Sequence, residues 1–259
     1  MPPLDAGTPT GTPPRTPTEA GAEPEDRAAG GGAALRTPPC EETLELRLPD
    51  EFVARFWTSS PGQEGAAARG DLLDALADWG PATTPAGEFR LVPVHPAHDL
   101  ALVTRWMNDP AVAAFWELSG GEDVTAAHLR VQLEGDGRSI PCLGVLDGSP
   151  MSYWEIYRAD LDPLARHYPA RPHDTGVHLL LGEVADRGRG LGTMLLRAVA
   201  DLVLDRRPSC ARVVAEPDLR NTPSVAAFLR AGFRLGAEVE LPDKKAALMI
   251  RDRAHRHQL

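Results

Sequence analysis

The sequence predicts a mixed α/β fold, in which a central twisted sheet carries helices on both faces. Residues 174–193 combine an apolar run, a glycine-rich loop and the start of a helical pattern, which indicates strand, turn and helix. Residues 141–146 and 151–157 are strand-like runs joined by Asp147-Gly148-Ser149, which indicates a hairpin. Between residues 211 and 251, strand-like and helical patterns alternate again. Together these three observations favour one mixed sheet with helices packed on it.

The glycine-rich loop is the part of the sequence that points most directly to a ligand. Gly188, Gly190 and Gly192 lie between the apolar run 177–181 and a helical pattern that begins at Leu191. Such a turn brings several backbone N–H groups to a helix N-terminus, where the helix dipole also favours an anion. The loop lacks the Lys-Ser/Thr pair of a P-loop and fits a Rossmann fingerprint poorly. A glycine-rich turn without any ligand is the alternative interpretation.

Composition restricts the classes of partner. The chain has 259 residues, a hydrophobic content of 42% and a net charge of −10. This charge argues against nucleic acid as the partner, because phosphate-binding surfaces usually carry a basic stripe. Its three cysteines include no CxxC pair, which indicates a reducing compartment and no zinc site. Without a long apolar run or a recognisable secretory signal, the expected location is the cytoplasm, with no membrane span.

The chain divides into four parts on pattern and composition. Residues 1–40 are rich in Pro, Thr, Gly, Ala and Glu without apolar periodicity, so we expect a disordered tail. Residues 41–87 contain a strand-like run and a helical pattern, and we expect an extension that packs on the core. Residues 88–252 hold the main domain, and residues 253–259 are expected to fray.

Several aromatic and acidic residues before the glycine-rich loop are candidates for an acceptor pocket. Tyr153, Glu155 and Tyr157 share one face of a predicted strand. A carboxylate in a core position is unusual because an unpaired buried charge is costly. The alternative interpretation is that this strand face lies at a solvated edge of the sheet. Trp116 lies in a helical region at 98–117 that is interrupted by Asn108-Asp109-Pro110.

Five strings in the sequence resemble a known family. RGRGLG at 187–192 matches Arg/Gln-x-x-Gly-x-Gly/Ala, the acyl-CoA pyrophosphate loop of the GCN5-related N-acetyltransferases (GNAT). The strings YWEIY (153–157), HDTGVHLLLG (173–182), RVVAEPDLRN (212–221) and LPDKKAALM (241–249) resemble the siderophore-biosynthesis branch of that superfamily. That branch contains the mycobactin lysine N-acyltransferases and the aerobactin N6-hydroxylysine acetyltransferases. The resemblance covers residues 88–252.

The resemblance implies the GNAT fold and an N-acyltransferase that uses acyl-CoA or an acyl carrier protein as donor. The implied acceptor is the side-chain amine or hydroxylamine of lysine, N6-hydroxylysine or a related amine, in hydroxamate siderophore biosynthesis. His178 is then the general base of a direct transfer, and Asp218 orients the acceptor or the histidine. A hydrogen-bonded core histidine and a turn aspartate are the alternatives for these two residues. No metal cofactor is expected.

The resemblance also implies two sets of binding residues. The donor would be held by the glycine-rich loop, the adjoining strand edge and the following helix: Leu181, Gly182, Val184, Arg187, Gly188, Arg189, Gly190, Leu191, Gly192, Thr193 and Asn221. The acceptor would be held by Trp116, Tyr153, Glu155, Tyr157 and Lys245.

Two other functions stay open on the sequence alone. One is an acetyltransferase for an unrelated small amine such as an aminoglycoside or a polyamine, since the acidic net charge suits any cationic acceptor. The other is a non-catalytic relative that binds acyl-CoA.

Overall fold

A computed structural model describes residue 73 and residues 75–257 of the chain. The tail predicted at 1–40 and the strand predicted at 43–48 lie outside the described residues. In the part that is described, eight strands form one sheet in the order β1-β2-β3-β4-β5-β6-β8-β7. The strands are β1 (Ala82–Thr84), β2 (Gly87–Pro93), β3 (Ser139–Leu146), β4 (Ser149–Arg158), β5 (Thr175–Leu181), β6 (Arg212–Ala215), β7 (Arg234–Glu240) and β8 (Lys245–Asp252).

The described helices cover both faces of this sheet, as the sequence predicts. Trp106 of the first helix and Leu129 of the third pack on Tyr153 at one face. On the opposite face, Val199 of the fourth helix belongs to the same cluster as Trp154. The helices are α1 (Pro96–Met107), α2 (Pro110–Trp116), α3 (Glu122–Leu133), α4 (Leu191–Arg206) and α5 (Thr222–Arg230).

Local sequence signals explain the boundaries nearest the functional site. The α1–α2 break falls at the predicted Asn108-Asp109-Pro110, where the Asp109 side chain accepts from the N–H of Ala111 and Pro110 starts α2. The predicted hairpin between β3 and β4 turns at Asp147 and Gly148, which have φ of 48° and 81°. Asn221 caps α5 by accepting from the N–H of Ser224 at 3.2 Å.

The sheet opens between β5 and β6, its one parallel pair in the described chain. The two strands pair only at Thr175 with Val213 and at Gly176 with Val214. Beyond Gly176, β5 continues to Leu181 paired with β4 alone. The other edge of β5 is therefore open toward α5, and ligand sites in α/β sheets form where strands diverge in this way.

The ends of the described chain are attached to the domain. Leu76, in a short 3₁₀ helix, and Trp79 belong to the buried cluster that contains the α4 residues, and β1 extends the sheet beside β2. At the other end, the Arg253 guanidinium donates to the carbonyls of Cys210 at 3.0 Å and Arg207 at 2.8 Å. Arg253 is therefore held against the domain, and fraying of the residues beyond it stays a prediction. Within the described part, no helix combines the length and apolar character that a membrane span needs.

Candidate active site

A groove of about 720 Å³ runs between α2, the open edge of β5, the glycine-rich loop and α5. Seven of the predicted donor residues line it, namely Leu181, Arg187, Gly188, Gly190, Gly192, Thr193 and Asn221. Gly190 precedes the 16-residue helix α4, so the unbonded N–H groups of the first helical turn meet the groove. An anionic group placed there is favoured by these donors and by the helix dipole.

The shape of the loop requires glycine at two positions. Gly188 has φ of +72° and Gly190 has φ of +83°, both in the left-handed region that suits a residue without Cβ. A Cβ at either position would meet no heavy atom within 4 Å, so the space beside the backbone is open. The loop therefore gives an anionic group close access to backbone N–H groups.

Arg187 supports the loop from inside. Its guanidinium donates to the carbonyls of Leu181 at 2.9 Å and Gly182 at 3.0 Å, and it pairs with the Asp109 carboxylate at 2.7 Å. The hydrogen bond from Arg187 lowers the pKa of Asp109. The side chain thus ties the loop to the end of β5 and to the cap of α2, which fixes the entrance of the groove.

The remaining predicted donor residues lie next to the groove without lining it. Gly182 is buried against Trp106, where an added Cβ would lie 2.1 Å from the indole ring. Leu191 packs its partly buried side chain on the core, whereas Val184 and Arg189 are exposed. Gly182 and Leu191 thus support the groove by packing, and contacts from Val184 and Arg189 to a donor stay predictions.

His178 lies on β5 at the point where the sheet opens, and two carboxylates hold its ring. Nδ1 lies 2.8 Å from Oε2 of Glu155, its cross-strand neighbour on β4. Nε2 lies 2.5 Å from Oε1 of Glu216, the first residue after β6. Both carboxylate side chains are under 10% exposed, whereas 33% of the His178 side chain is exposed. The three groups form a continuous triad across the gap between the two strands.

The charges within this triad depend on one another. Burial alone would favour neutral imidazole, but the Glu216 and Glu155 carboxylates outweigh it and raise the pKa of His178 to about 10. Burial opposes ionisation of Glu216 as well, yet the charge and hydrogen bond of His178 lower its pKa to about 2. The pKa of Glu155 is also lowered, because hydrogen bonds from His128 and His178 overcome its burial. At neutral pH the triad is an imidazolium between two carboxylates.

Each carboxylate of the triad also binds side chains other than His178. Oε1 of Glu155 accepts from His128 at 2.5 Å, Gln132 at 2.7 Å and the Tyr153 hydroxyl at 2.9 Å. Oε2 of Glu216 accepts from the Tyr157 hydroxyl at 2.7 Å, and Lys244 lies 3.6 Å from Oε1. Burial raises the pKa of both tyrosines, which therefore stay protonated as donors. The predicted face of Tyr153, Glu155 and Tyr157 is thus a hydrogen-bonded part of the site rather than a solvated edge.

Of the two acidic residues that follow β6, Glu216 contacts His178 and Asp218 does not. Asp218 pairs with the Arg220 guanidinium at 2.7 Å and accepts from the Arg220 backbone N–H at 2.7 Å. The hydrogen bond from Arg220 lowers the pKa of Asp218. Asp218 still lines the cavity beside His178, so a contact with acceptor stays a prediction. Glu216 is in the same AEPD string and directly follows β6, and this strand-end position is the signal that would have found it.

The lysine next to the triad is Lys244 rather than the predicted Lys245. Lys245 pairs with Glu240 across the β7–β8 hairpin at 3.0 Å, and 66% of its side chain is exposed. Lys244 and Lys245 point to opposite sides because successive side chains alternate where β8 begins. His128 and Gln132 were also missed, because they come from α3, whose contact with β4 no local pattern reveals.

Two cavities meet at the triad. A cavity of about 340 Å³ contains His178, Glu216 and Lys244, and it shares Trp116 and Leu179 with the donor groove. The Trp116 ring lies 6.0 Å from that of His178, at the junction of the two spaces. A second cavity, of about 820 Å³, opens on the other side of the triad toward Gln132, Arg138 and Asp162. One molecule can therefore reach the triad from the groove and another from the larger cavity.

The fold and this site define an acetyltransferase of the GNAT class. Residues 95–241 match the family described as acetyltransferase (GNAT) domain, and the chain belongs to that family.

Two curated relatives agree with the branch indicated by the sequence. The chain is 39% identical to the N(6)-hydroxylysine O-acetyltransferase of Escherichia coli over 160 residues, which are 62% of this chain and 50% of that protein. It is 36% identical to the lysine N-acyltransferase MbtK of Mycolicibacterium paratuberculosis over 154 residues, which are 60% of this chain and 69% of the relative. The chain thus spans about half the length of the first relative. The resemblance to this branch is confirmed.

Solved structures share the fold. An uncharacterised protein from Bacillus halodurans is 34% identical, with a TM-score of 0.61 over 66% of this chain and 86% of that one. The aminoglycoside acetyltransferase AAC(6′)-Ib in complex with coenzyme A and kanamycin is 25% identical, with a TM-score of 0.59 over 66% of this chain and 99% of that one.

Proposed function

We propose that this chain is an N-acyltransferase that transfers an acyl group from acyl-CoA to the side-chain amine or hydroxylamine of lysine, N6-hydroxylysine or a related amine, for hydroxamate siderophore biosynthesis. The observation that carries the proposal is the Glu155–His178–Glu216 triad, which lies where a groove with a phosphate-binding loop meets a second cavity. The names of both curated relatives support lysine or N6-hydroxylysine as acceptor, and the name of the lysine N-acyltransferase supports transfer to nitrogen.

The donor occupies the groove in this proposal. The glycine-rich loop binds the pyrophosphate, and the open edge of β5 offers backbone groups to the amides of the pantetheine arm. Trp116 and Leu179 line both the groove and the smaller cavity, so the thioester passes between them toward His178. An acyl carrier protein would present the same phosphopantetheine arm and is the alternative donor.

The triad receives the proton that the acceptor nitrogen loses once its bond to the carbonyl carbon has made that nitrogen strongly acidic. With His178 protonated and both glutamates ionised, the triad carries one net negative charge, and one added proton makes it neutral. Because these buried groups titrate together, the proton acceptor is the whole triad and not the His178 imidazole alone. This changes the role predicted for His178: it joins two carboxylates and distributes the added proton, with Glu216 facing the smaller cavity.

Transfer is direct in this proposal, without an acyl-enzyme. Cys142 and Cys210 are the described cysteines, and both are buried. Burial raises the pKa of each thiol, which suppresses the nucleophilic thiolate. The nitrogen of the acceptor therefore attacks the thioester itself, the C–S bond breaks, and the CoA thiolate takes up the proton that the triad received, which returns the triad to its starting charge.

The test of the function is thiol release from acetyl-CoA and longer acyl-CoAs with a panel of acceptors. Lysine, N6-hydroxylysine, putrescine and kanamycin separate the proposed acceptors from a polyamine and an aminoglycoside, and mass spectrometry identifies the product. Release with lysine or N6-hydroxylysine above the rate with kanamycin supports the proposal. CoA binding without acceptor-dependent thiol release would instead identify a non-catalytic relative.

The rate with N6-hydroxylysine should not rise through an ionisation near pH 6.5, the ordinary pKa of histidine. The raised pKa of His178 keeps it protonated until about pH 10, and Glu216, with a pKa of about 2, stays ionised throughout. The charge of the triad is therefore constant between about pH 6 and 8.5. With lysine, the rate should rise over the same range, because the amine must first lose a proton.

A pH profile of kcat for both acceptors checks this prediction, and the Glu216→Gln variant is the comparison. Neutralising one carboxylate should lower the pKa of His178 and bring its titration into the measured window. A wild-type midpoint near pH 6.5 that does not match the ionisation of free N6-hydroxylysine would show that His178 is a free base instead.

A further inference from the structure

The larger cavity has a charged rim that the triad does not use. This inference rests on the proposed function. Arg138, directly before β3, and Asp162, just after β4, line the cavity together with Gln132, Tyr157 and His178. Arg138 and Asp162 are close enough that the charge of each influences the pKa of the other. A cation and an anion at one rim are complementary to a molecule that carries both charges on neighbouring atoms.

The Arg138 guanidinium is fixed in place but has donors left. Nε and Nη2 bind the Asp136 carboxylate, with Nε–Oδ1 at 2.8 Å, and Nη1 donates to the carbonyl of Leu161 at 2.9 Å. These contacts use three of the five N–H groups of a guanidinium, so two remain for a ligand. Arginine presents such paired donors in the spacing of a carboxylate.

Asp162 offers an acceptor in the same region. Its Oδ1 accepts from the N–H of Leu164 at 2.9 Å and so caps a short 3₁₀ helix. No hydrogen bond from the described part of the chain reaches its other oxygen. Partial burial raises the pKa of this carboxyl, the charge of Glu216 adds to the rise, and His178 and Arg138 offset it only in part. An ammonium group in the cavity would compensate the charge of Asp162.

The spacing along β4 matches the length of a lysine side chain. Tyr157 lies two residues beyond Glu155 on the same strand, a step of about 7 Å. The side-chain nitrogen of an extended lysine lies roughly 6 Å from its Cα, across five bonds of about 1.5 Å. An acceptor lysine whose side-chain nitrogen lies beside Glu155 therefore has its α-carbon beside Tyr157. The Tyr157 hydroxyl is within the electrostatic influence of Asp162.

We propose that Arg138 binds the α-carboxylate and Asp162 the α-ammonium of the acceptor. The chain is then selective for a free α-amino acid of lysine length over a diamine without the carboxylate. Arg138 and Asp162 are then specificity-determining residues for the acceptor, in the same cavity as Glu155 and His178.

The test compares N6-hydroxylysine with N-hydroxycadaverine, which has the same chain and hydroxylamine but no carboxylate. The selectivity ratio is kcat/KM for N6-hydroxylysine divided by kcat/KM for N-hydroxycadaverine. We expect a wild-type ratio of about 30 or more, lowered at least about tenfold by Arg138→Gln and by Asp162→Asn, mainly through KM. Asparagine is as good a helix cap as aspartate, so Asp162→Asn removes the charge and keeps the 3₁₀ helix.

Acceptors in which one charged group is blocked show which group Arg138 binds and which group Asp162 binds. With the methyl ester of lysine, Arg138→Gln should lose its effect, and with Nα-acetyl-lysine, Asp162→Asn should lose its effect. Arg130→Gln removes an exposed cation of α3 outside the cavity and should keep the wild-type ratio. A wild-type ratio near one, or variants that lower kcat/KM equally for both acceptors, would overturn the inference. Absence of thiol release with every amine would contradict the proposed function instead.

Discussion

Replacing Glu216 with glutamine should lower kcat for N6-hydroxylysine by about 10²- to 10⁴-fold, the range for loss of a positioned acid–base group. The Glu216 carboxylate binds Nε2 of His178 at 2.5 Å and the Tyr157 hydroxyl at 2.7 Å. Glutamine has nearly the same shape, so it retains a side chain at this position but removes the charge. Below the lowered pKa of His178, the triad then has no net negative charge to receive the proton of the acceptor nitrogen.

Asp218→Asn is the matched comparison for this prediction. Asp218 lies two residues further along the same segment, and its carboxylate is engaged by Arg220 rather than by His178. We expect its effect on kcat to be at least tenfold smaller. Single-turnover rates on variants with matching thermal unfolding curves check the comparison. Equal losses for the two variants, or a larger loss for Asp218→Asn, would return the role of the acidic partner to Asp218.

Glu216→Gln tests the chemistry more cleanly than His178→Ala does. Without the imidazolium, Glu155 and Glu216 would be two buried carboxylates deprived of their shared cation. Removing one partner from a buried ionic pair commonly costs about 3–5 kcal/mol of folding free energy. A loss of rate in His178→Ala would therefore mix a catalytic effect with an unfolding effect.

The fold was predictable because its signals are local. The strand, glycine-rich loop and helix around Gly190 follow one another in the chain, and so do the α1–α2 break at Pro110 and the hairpin at Gly148. Each depends on backbone preferences of a few consecutive residues. The donor groove was predictable for the same reason, since one segment supplies both the open strand edge and the anion-binding turn.

The centre of the site was predictable only in part, because three distant segments meet there. Glu155 and His178 are a cross-strand pair, and a face of β4 with a carboxylate was visible in the sequence. The end of the strand before Glu216 was visible in the sequence, but whether Glu216 or Asp218 reaches His178 depends on how β5 and β6 diverge, which is a tertiary effect. The contact of His128 with Glu155 depends on how α3 packs on the sheet, which is a tertiary effect.

The second large effect is expected at the donor loop, where Gly190→Asp should weaken acyl-CoA binding by about 100-fold or more. Gly190 lines the groove, and a Cβ there meets no atom within 4 Å, so the added carboxylate has room beside the N-terminus of α4. It would occupy the place of the pyrophosphate. Two unit charges about 4 Å apart interact by roughly 4 kcal/mol in a protein-surface environment, which exceeds the energy of a 100-fold change.

Gly148→Asp separates this electrostatic effect from backbone strain. Gly148 has φ of +81°, nearly the value of +83° at Gly190, and an added Cβ there also meets no atom within 4 Å. Both variants therefore bear the same cost of a left-handed aspartate, about 1–2 kcal/mol. Only Gly190→Asp places a charge in the groove, so calorimetry should show lost CoA affinity in that variant and wild-type affinity in Gly148→Asp. Unchanged affinity in folded Gly190→Asp would mean that the pyrophosphate is bound elsewhere.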